Sequence, residues 1–176
     1  MAGLRMNVSD LLKTEGAEKS LKLEVDIPAI KKGEERIELA KAPRLDLGLR
    51  NVGNRILASG SLRGEVFLDC SRCLIRFKYP MEIGISELFR KPGEFREEKL
   101  PVEEERAFAI VNDEIDLAPM AEQAMLLFLP MKPLCKQVCK GLCPVCGENL
   151  NKRPHVHEGE EIDSRLIALK KLLKKK

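Results

Sequence analysis

Apolar and polar side chains alternate with a period of two over four stretches in the first half of the chain. This period is typical of β-strands that bury one face and solvate the other. The turn signal Val52-Gly53-Asn54 separates two of the stretches, which favours antiparallel pairing in a strongly curved or barrel-like sheet. The apolar positions are Leu21, Leu23, Val25 and Ile27; Leu45, Leu47 and Leu49; those from Leu62 to Leu68; and Ile75, Phe77, Tyr79, Met81, Ile83 and Ile85.

Two later stretches have the spacing of helices. A helix is predicted near 117–129, with Asp116 as its N-cap or first-turn acid and Pro130 just after its last turn. We expect its apolar face to pack on the sheet. A second, amphipathic helix is predicted from about Ile162 to Leu173, with acidic residues at its start and lysines at its end. Such a short helix is marginal alone and needs a surface to dock on.

Charge is unevenly distributed along the chain. Residues 91–105 contain six glutamates among prolines and a glycine, which predicts a mobile acidic loop, and the apolar run 107–111 is expected to add a strand. The formal net charge is +3. Residues 1–130 carry 20 Lys and Arg against 23 Asp and Glu, whereas residues 131–176 carry 11 against 5. The basic tail would meet a polyanionic partner, or would simply form a solvated, helix-stabilising terminus.

Length and composition limit the class of protein. A chain of 176 residues with 44% apolar residues is one medium domain, or one domain with a small appendage, and with only 4% aromatic residues its core must be aliphatic. No apolar run approaches the roughly 20 residues that cross a bilayer. The N-terminal residues lack the apolar region of a secretory leader. We therefore expect a cytoplasmic protein with no membrane partner.

The cysteines and histidines carry the recognisable chemistry, because all eight fall in tight clusters. Disulfides are disfavoured, since nothing marks the chain for an oxidising compartment. A thioredoxin-like redox pair is possible, but neither Cys-x2-Cys lies at a strand-to-helix junction of a parallel α/β unit. Tetrahedral Zn²⁺ is the favoured interpretation, because Cys-x2-Cys lets two thiolates bind one ion from a single turn. The candidate ligands are Cys70, Cys73, Cys135, Cys139, Cys143, Cys146, His155 and His157.

These ligands could hold one ion or two. The first grouping places Cys70 and Cys73 with Cys135 and Cys139, which leaves the last two cysteines to share an ion with both histidines. The alternative places the four tail cysteines on one ion and leaves the first pair idle. We expect His155 and its neighbour two residues on to bind together only in an irregular turn. A site closed by four protein ligands stabilises rather than catalyses.

Together these patterns predict an α+β fold. A curved antiparallel β-sheet or partial barrel with a packed helix would occupy residues 1–132. A zinc-ribbon-like tail with a C-terminal amphipathic helix would occupy residues 133–176. The first metal site would fasten a sheet hairpin to the segment that follows the core helix.

Six motifs are spread over nearly the whole chain. They are Asn7-Val-Ser-Asp-Leu-Leu, Cys70-Ser-Arg-Cys-Leu, Ile115-Asp-Leu, Leu129-Pro-Met-Lys-Pro-Leu-Cys135, Cys139-Lys-Gly-Leu-Cys-Pro-Val-Cys-Gly-Glu-Asn-Leu-Asn151 and Ile162-Asp-Ser-Arg-Leu-Ile-Ala-Leu. These motifs resemble those of the YceD family, the bacterial and plastid proteins named for large ribosomal RNA subunit accumulation. The resemblance implies a non-enzymatic role in accumulation or processing of 23S ribosomal RNA and in large-subunit assembly. In many relatives a Cys-x-Cys stands where this chain has His155-Val-His157.

Three functions follow as hypotheses. The first is binding of ribosomal RNA or a pre-ribosomal large subunit, dominated by phosphate contacts because aromatic stacking platforms are nearly absent. The second is a zinc-stabilised adaptor that contacts a ribosomal protein or an RNase without touching RNA. The third is an enzyme, which no nucleophile arrangement, phosphate loop or open metal triad supports. Candidate RNA contacts are Arg72, Arg76, Lys136, Lys140, Lys152 and Arg153.

Overall fold

The alternating stretches form the long strands of one sheet, and further short elements surround them. The computed structural model describes residues 4–25, 27, 29–32, 35–53, 55–92 and 107–157. In chain order the elements are β1 (Arg5–Asn7), α1 (Ser9–Lys13), β2 (Glu18–Glu24), β3 (Ala29–Lys32), β4 (Glu35–Asn51), β5 (Arg55–Asp69), β6 (Arg76–Arg90), β7 (Phe108–Val111), β8 (Glu114–Asp116) and α2 (Leu117–Phe128).

The sheet is a curved half-barrel with the strand order β1-β8-β7-β6-β5-β4-β2, and β3 also pairs with β4. Its centre is the antiparallel meander of β4, β5 and β6, as the alternation predicts. The register between β4 and β5 shifts around Leu39 to Arg44, which marks a bulge. Bulges bend the strand that contains them and increase its twist, so this irregularity contributes to the curvature.

The prediction of a wholly antiparallel sheet is wrong at one strand pair. β7 runs parallel to β6, with Phe89 opposite Phe108 and Arg90 opposite Ala109. A parallel neighbour requires a crossover connection of a dozen or more residues rather than a hairpin turn. The acidic segment after β6 supplies a connection of that length. The strand alternation cannot reveal this direction, because the period of two is the same in both kinds of pairing.

The core lies between the inner face of the sheet and α2. Alternate residues of the long strands are buried, including Leu45, Leu47 and Leu49 at 1% exposure or less, and the buried core of the described residues is aliphatic apart from methionines and Phe89. The predicted N-cap is confirmed, because the Asp116 carboxylate accepts a hydrogen bond from the Ala118 backbone N–H at 3.0 Å. The helix ends at Phe128, two residues before Pro130. It thus covers the sheet and delivers the chain to the cysteine-rich segment.

A buried asparagine ties the N-terminal segment to the sheet. Asn51, at the end of β4, is 2% exposed. Its side-chain amide donates to the carbonyls of Leu11 at 2.8 Å and Thr14 at 3.0 Å. These bonds supply donors to carbonyls at the end of α1, where no further helical turn provides N–H groups. The sequence pattern did not predict α1 or this anchor.

The solvated face of the sheet is covered by cross-strand ion pairs. Arg63 of β5 lies directly opposite Glu82 of β6, and their side chains approach to 2.8 Å. Opposite charges on facing residues favour one register over its neighbours. Further pairs among the described residues are Lys22–Asp46, Arg44–Glu24, Arg50–Glu18, Arg76–Glu38 and Lys78–Glu65.

Two predicted features lie outside the described residues. These are the C-terminal amphipathic helix from about 162 to 173 and nearly all of the acidic loop from 91 to 105. The strand predicted at 107–111 is confirmed as β7. In the part of the chain that the structure describes, no helix is long and apolar enough to cross a membrane.

Candidate metal centres

The predicted ligands converge on two places in the fold. Within each group the four ligand atoms all lie within 4.8 Å of one another. All six cysteines are free thiols. This is the first predicted grouping rather than the alternative with four tail cysteines together. The first centre consists of Cys70, Cys73, Cys135 and Cys139, and the second of Cys143, Cys146, His155 and His157.

The first centre is built where the β5–β6 hairpin meets the segment after α2. The hairpin turn is closed by bonds from the Cys70 N–H to the Ile75 carbonyl and from the Leu74 N–H to the Cys70 carbonyl, both at 2.9 Å. The backbone N–H of Ser71 donates to the carbonyl of Pro133 at 2.9 Å. This bond holds the chain after α2 against the hairpin tip. The two thiols of the turn thereby face the two thiols of the tail.

The spacing of the sulfurs fits a tetrahedral ion. Cys70 Sγ lies 3.8 Å from Cys139 Sγ, and Cys73 Sγ lies 3.6 Å from Cys135 Sγ. A Zn–S bond of about 2.3 Å in tetrahedral geometry separates sulfurs by about 3.8 Å. Disulfide sulfurs would instead be about 2.0 Å apart. Three of the four cysteines are buried, so an ion held here would be shielded from water.

The electrostatics of the first centre also call for a cation. Burial raises the pKa of Cys70, but backbone N–H groups of Cys135, Cys73 and Arg72 outweigh it and bring that pKa to about 6. Burial and the neighbouring thiols raise the pKa of Cys135 to about 12. Burial also raises the pKa of Cys139, but the Gly141 backbone N–H and the Asn151 amide outweigh it and lower that pKa. Cys70 and Cys139 therefore ionise more readily than ordinary thiols, whereas ionisation of Cys135 in the same pocket is opposed. A divalent cation would remove that opposition and let all four sulfurs ionise.

The second centre begins with a knuckle, Cys143-Pro-Val-Cys146-Gly147. The Cys143 N–H donates to the Glu148 carbonyl at 2.8 Å, and the Gly147 N–H donates to the Cys143 carbonyl at 2.9 Å. Gly147 has φ +74, a conformation that residues with a Cβ adopt only with strain. The backbone N–H of Cys146 is the main cause that lowers the pKa of Cys143 to about 6. The turn thus prepares a thiolate before any ion is present.

Both histidines reach the second centre from residues 154–157, which form no regular strand. His155 Nδ1 lies 2.9 Å from the Arg153 carbonyl, and its Nε2 lies 3.2 Å from Cys146 Sγ. An Nδ1–H that donates to a carbonyl leaves Nε2 free as a metal ligand. The rings of His155 and His157 meet edge to face with centroids 4.8 Å apart. Thiolate and imidazole together are a donor set that suits Zn²⁺.

Comparison with known proteins places the chain among its relatives. A family model described as "Large ribosomal RNA subunit accumulation protein YceD" matches residues 58–173. The chain belongs to the YceD family. The match confirms the resemblance and spans every ligand of both centres.

Three YceD-like relatives carry no functional name. The uncharacterized protein Rv2926c of Mycobacterium tuberculosis is 34% identical over 143 residues, which cover 80% of this chain and 68% of that protein. The uncharacterized protein ML1660 of Mycobacterium leprae is 30% identical over 69% of this chain and 56% of its own length. The uncharacterized protein YlbN of Bacillus subtilis is 27% identical over 80% of this chain and 87% of its own length. No solved structure matches the chain.

Of the six predicted RNA contacts, the three arginines interact with other groups of the protein and the three lysines do not form ion pairs with described residues. The Arg72 guanidinium donates to the Cys139 carbonyl at 2.8 Å. Arg76 pairs with Glu38 and lies 4.7 Å over the Phe67 ring. Arg153 pairs with Glu148 at 3.1 Å. In contrast, Lys136, Lys140 and Lys152 are exposed and form no ion pair with any described residue.

One residue of the centres was missed as a functional candidate. Asn151 was recognised only as the end of a motif, but its side-chain amide donates to Cys139 Sγ at 3.3 Å. Hydrogen bonds from outside the ligand set commonly orient metal ligands. The signal available in the sequence was an amide residue close after a zinc knuckle. Nothing in the pattern showed that the loop folds back to the other centre.

Proposed function

We propose that this protein is a non-enzymatic, cytoplasmic ribosome biogenesis factor that supports 23S ribosomal RNA accumulation and large-subunit assembly by binding RNA or pre-ribosomal particles. The family description supplies the biological context, since it names large ribosomal RNA subunit accumulation. Two structural Zn²⁺ ions would hold the tail in a fixed shape. Four protein ligands at each centre leave no open position for a reacting water, which supports binding rather than catalysis.

The observation that carries the proposal is the contrast between paired and unpaired cations. On the sheet, basic side chains such as Arg44 and Arg63 face acidic partners on the neighbouring strand. Residues 131–157 instead carry five Lys and Arg against the single acid Glu148. Unpaired cations on a surface held by metal ions can meet phosphates without first breaking ion pairs. The tail is therefore the surface that best fits a polyanion.

The test compares two triple variants against in vitro transcripts of 23S ribosomal RNA. Lys136, Lys140 and Lys152 are replaced together by Ala, and a matched control replaces Lys22, Arg44 and Arg63. Each phosphate that the protein no longer neutralises reduces the steepness of the negative slope of log affinity against log salt by about 0.7 to 0.9. We expect the slope to become less negative by about 2 in the tail variant and to change little in the control variant. Equal effects of the two variants, or wild-type binding without a salt slope, would contradict direct RNA binding by the tail.

A protein-adaptor function is favoured by a separate observation. Leu127 at the end of α2 is 77% exposed and Met131 is 95% exposed, although both are large apolar side chains. Large apolar side chains exposed within five residues of one another can contribute to a protein contact. Binding of purified large-subunit ribosomal proteins after nuclease treatment, abolished by Leu127→Lys but not by the tail lysine substitutions, would favour this function.

A further inference from the structure

The two centres share one loop. The last ligand of the first centre, Cys139, lies four residues before the first ligand of the second, Cys143. The loop folds back on itself, because Leu142 pairs with Asn149 in an antiparallel bridge and the Leu150 N–H donates to the Gly141 carbonyl at 3.0 Å. This fold returns the chain from the second centre to the sulfur of the first.

Asn151 stands at the point of return. Its Nδ2 donates to Cys139 Sγ at 3.3 Å and to Asn149 Oδ1 at 2.9 Å. Its Oδ1 accepts the backbone N–H of Lys140 at 3.0 Å. A backbone N–H can only donate, so the side-chain atom that faces it must be the oxygen. The amide therefore has one orientation, in which Nδ2 donates to Cys139 Sγ and to Asn149 Oδ1.

Arg72, in the turn of the β5–β6 hairpin, also contacts Cys139. The Arg72 guanidinium bonds the Cys139 carbonyl at 2.8 Å, while Asn151 bonds its sulfur. Cys139 is thus held by one residue from the turn of the first centre and by one residue that lies between Cys146 and His155 of the second. If the backbone at either centre becomes more or less ordered, Arg72 or Asn151 transmits the change to the position of Cys139 Sγ.

We propose that Asn151 is a positioning residue that couples the two centres, so that a metal ion bound at one raises the affinity of the other. An ion at the second centre fixes the loop from Cys143 to His155 and with it the Asn151 amide. The fixed amide holds the Cys139 thiolate in the position from which it binds the first ion. Coupling between two binding equilibria is reciprocal, so the first ion favours the second equally. This inference rests on the metal binding in the proposed function.

The test loads the reduced, full-length apoprotein with Co²⁺ and follows absorption. Cobalt reports thiolate number through its charge-transfer bands, so the two centres give different spectra. The variants are Asn151→Ala, Cys146→Ser and the two combined; Gln137→Ala is the control, since it removes an exposed amide from the same segment. His157→Ala provides a second way to disable the second centre if Cys146→Ser does not fold.

The expected pattern is a non-additive cycle. Loss of an outer-shell partner commonly lowers metal affinity 10- to 100-fold. We expect Asn151→Ala and Cys146→Ser each to weaken the first centre at least about tenfold, and the combined variant to be no weaker than the worse of the two. Asn151→Ala should also shift the thiolate-to-cobalt band of the first centre, a change that mere loosening of the tail would not produce.

Different results would contradict the coupling between the centres and the binding of metal itself. Wild-type protein that takes up two ions, with first-centre affinity and spectrum unchanged in Asn151→Ala, would overturn the coupling and leave the metal centres standing. Additive losses in the combined variant would likewise overturn it. Wild-type protein that takes up no cobalt would overturn metal binding itself.

Discussion

The two cysteine centres have the same number of ligands but different places in the fold. The first gathers thiols from the β5–β6 hairpin and from the chain after α2, and three of its four cysteines are buried. The second gathers ligands from one short segment of the tail, with Cys146 and His157 exposed. One centre therefore joins distant parts of the chain, whereas the other shapes a local turn. Position in the fold, rather than ligand number, should decide what each ion stabilises.

The entropy of the unfolded chain increases the difference between the stabilising effects of the two ions. A cross-link that closes a long loop removes more freedom from the unfolded chain than one that closes a short loop. From Cys73 to Cys135 the first centre encloses β6, β7, β8 and α2. From Cys146 to His155 the second centre encloses only a turn. The first ion should hence contribute to the stability of the sheet and the second mainly to the order of the tail.

The largest expected effect tests this difference directly. Cys73→Ser should lower the free energy of unfolding by about 4 kcal/mol or more, as expected when a metal-linked core junction is broken. Cys146→Ser should lower it by about 2 kcal/mol, because its own loop is local and exposed and the tenfold weaker binding at the first centre adds about 1.4 kcal/mol. Chemical denaturation of the zinc-loaded proteins measures both, and Ser71→Ala in the same hairpin turn is the control. Equal losses for the two cysteine variants would show that the centres do not differ as argued.

The fold was predictable wherever burial follows a local period. Alternation in β5 predicted the buried positions Leu62, Val66 and Leu68, because each strand has one face on the core. The capped start of α2 was predictable at Asp116, since a helix N-terminus needs an acceptor for its free N–H groups. The parallel direction of β7 was not, because direction depends on the path of the connection and leaves no period.

The site was predictable as a set of ligands and less so as a geometry. Cysteine spacing identified the ligands, since two thiolates three residues apart can share an ion. The grouping of the ligands depended on where the hairpin meets the tail, and the sequence left two possibilities open. The roles of Arg72 and Asn151 required coordinates, because each acts on Cys139 from a position distant in the chain.

A second test separates the centres by the rate at which they release metal. A chelator reaches an exposed centre more easily than a buried one, so zinc release should have a fast and a slow phase. We expect the fast phase to disappear in His157→Ala, which removes an exposed ligand of the second centre, and the slow phase to remain. A coloured zinc indicator measures both rates. We expect them to differ at least about tenfold, which corresponds to a difference of about 1.4 kcal/mol in the barrier to release. A single phase of zinc release in the wild-type protein would mean that the difference in burial does not give the two centres different release rates.

The smallest expected effect compares two glycines that have the same backbone conformation. Gly141 has φ +79 and Gly147 has φ +74, so Ala at either position carries the strain of a left-handed residue, about 1 kcal/mol. A Cβ on Gly141 would also lie 3.2 Å from the Arg72 carbonyl oxygen in the hairpin, whereas one on Gly147 would meet nothing within 4 Å.

Gly141→Ala should therefore push the shared loop away from the first centre, and Gly147→Ala should strain only the knuckle of the second. We expect Gly141→Ala to lower the free energy of unfolding by about 1 kcal/mol more than Gly147→Ala does, and to speed the slow phase of zinc release. Gly147→Ala should speed mainly the fast phase. If both variants changed the same phase, the close contact between Arg72 and the loop at Gly141 would not be specific to the first centre, and this prediction would be wrong.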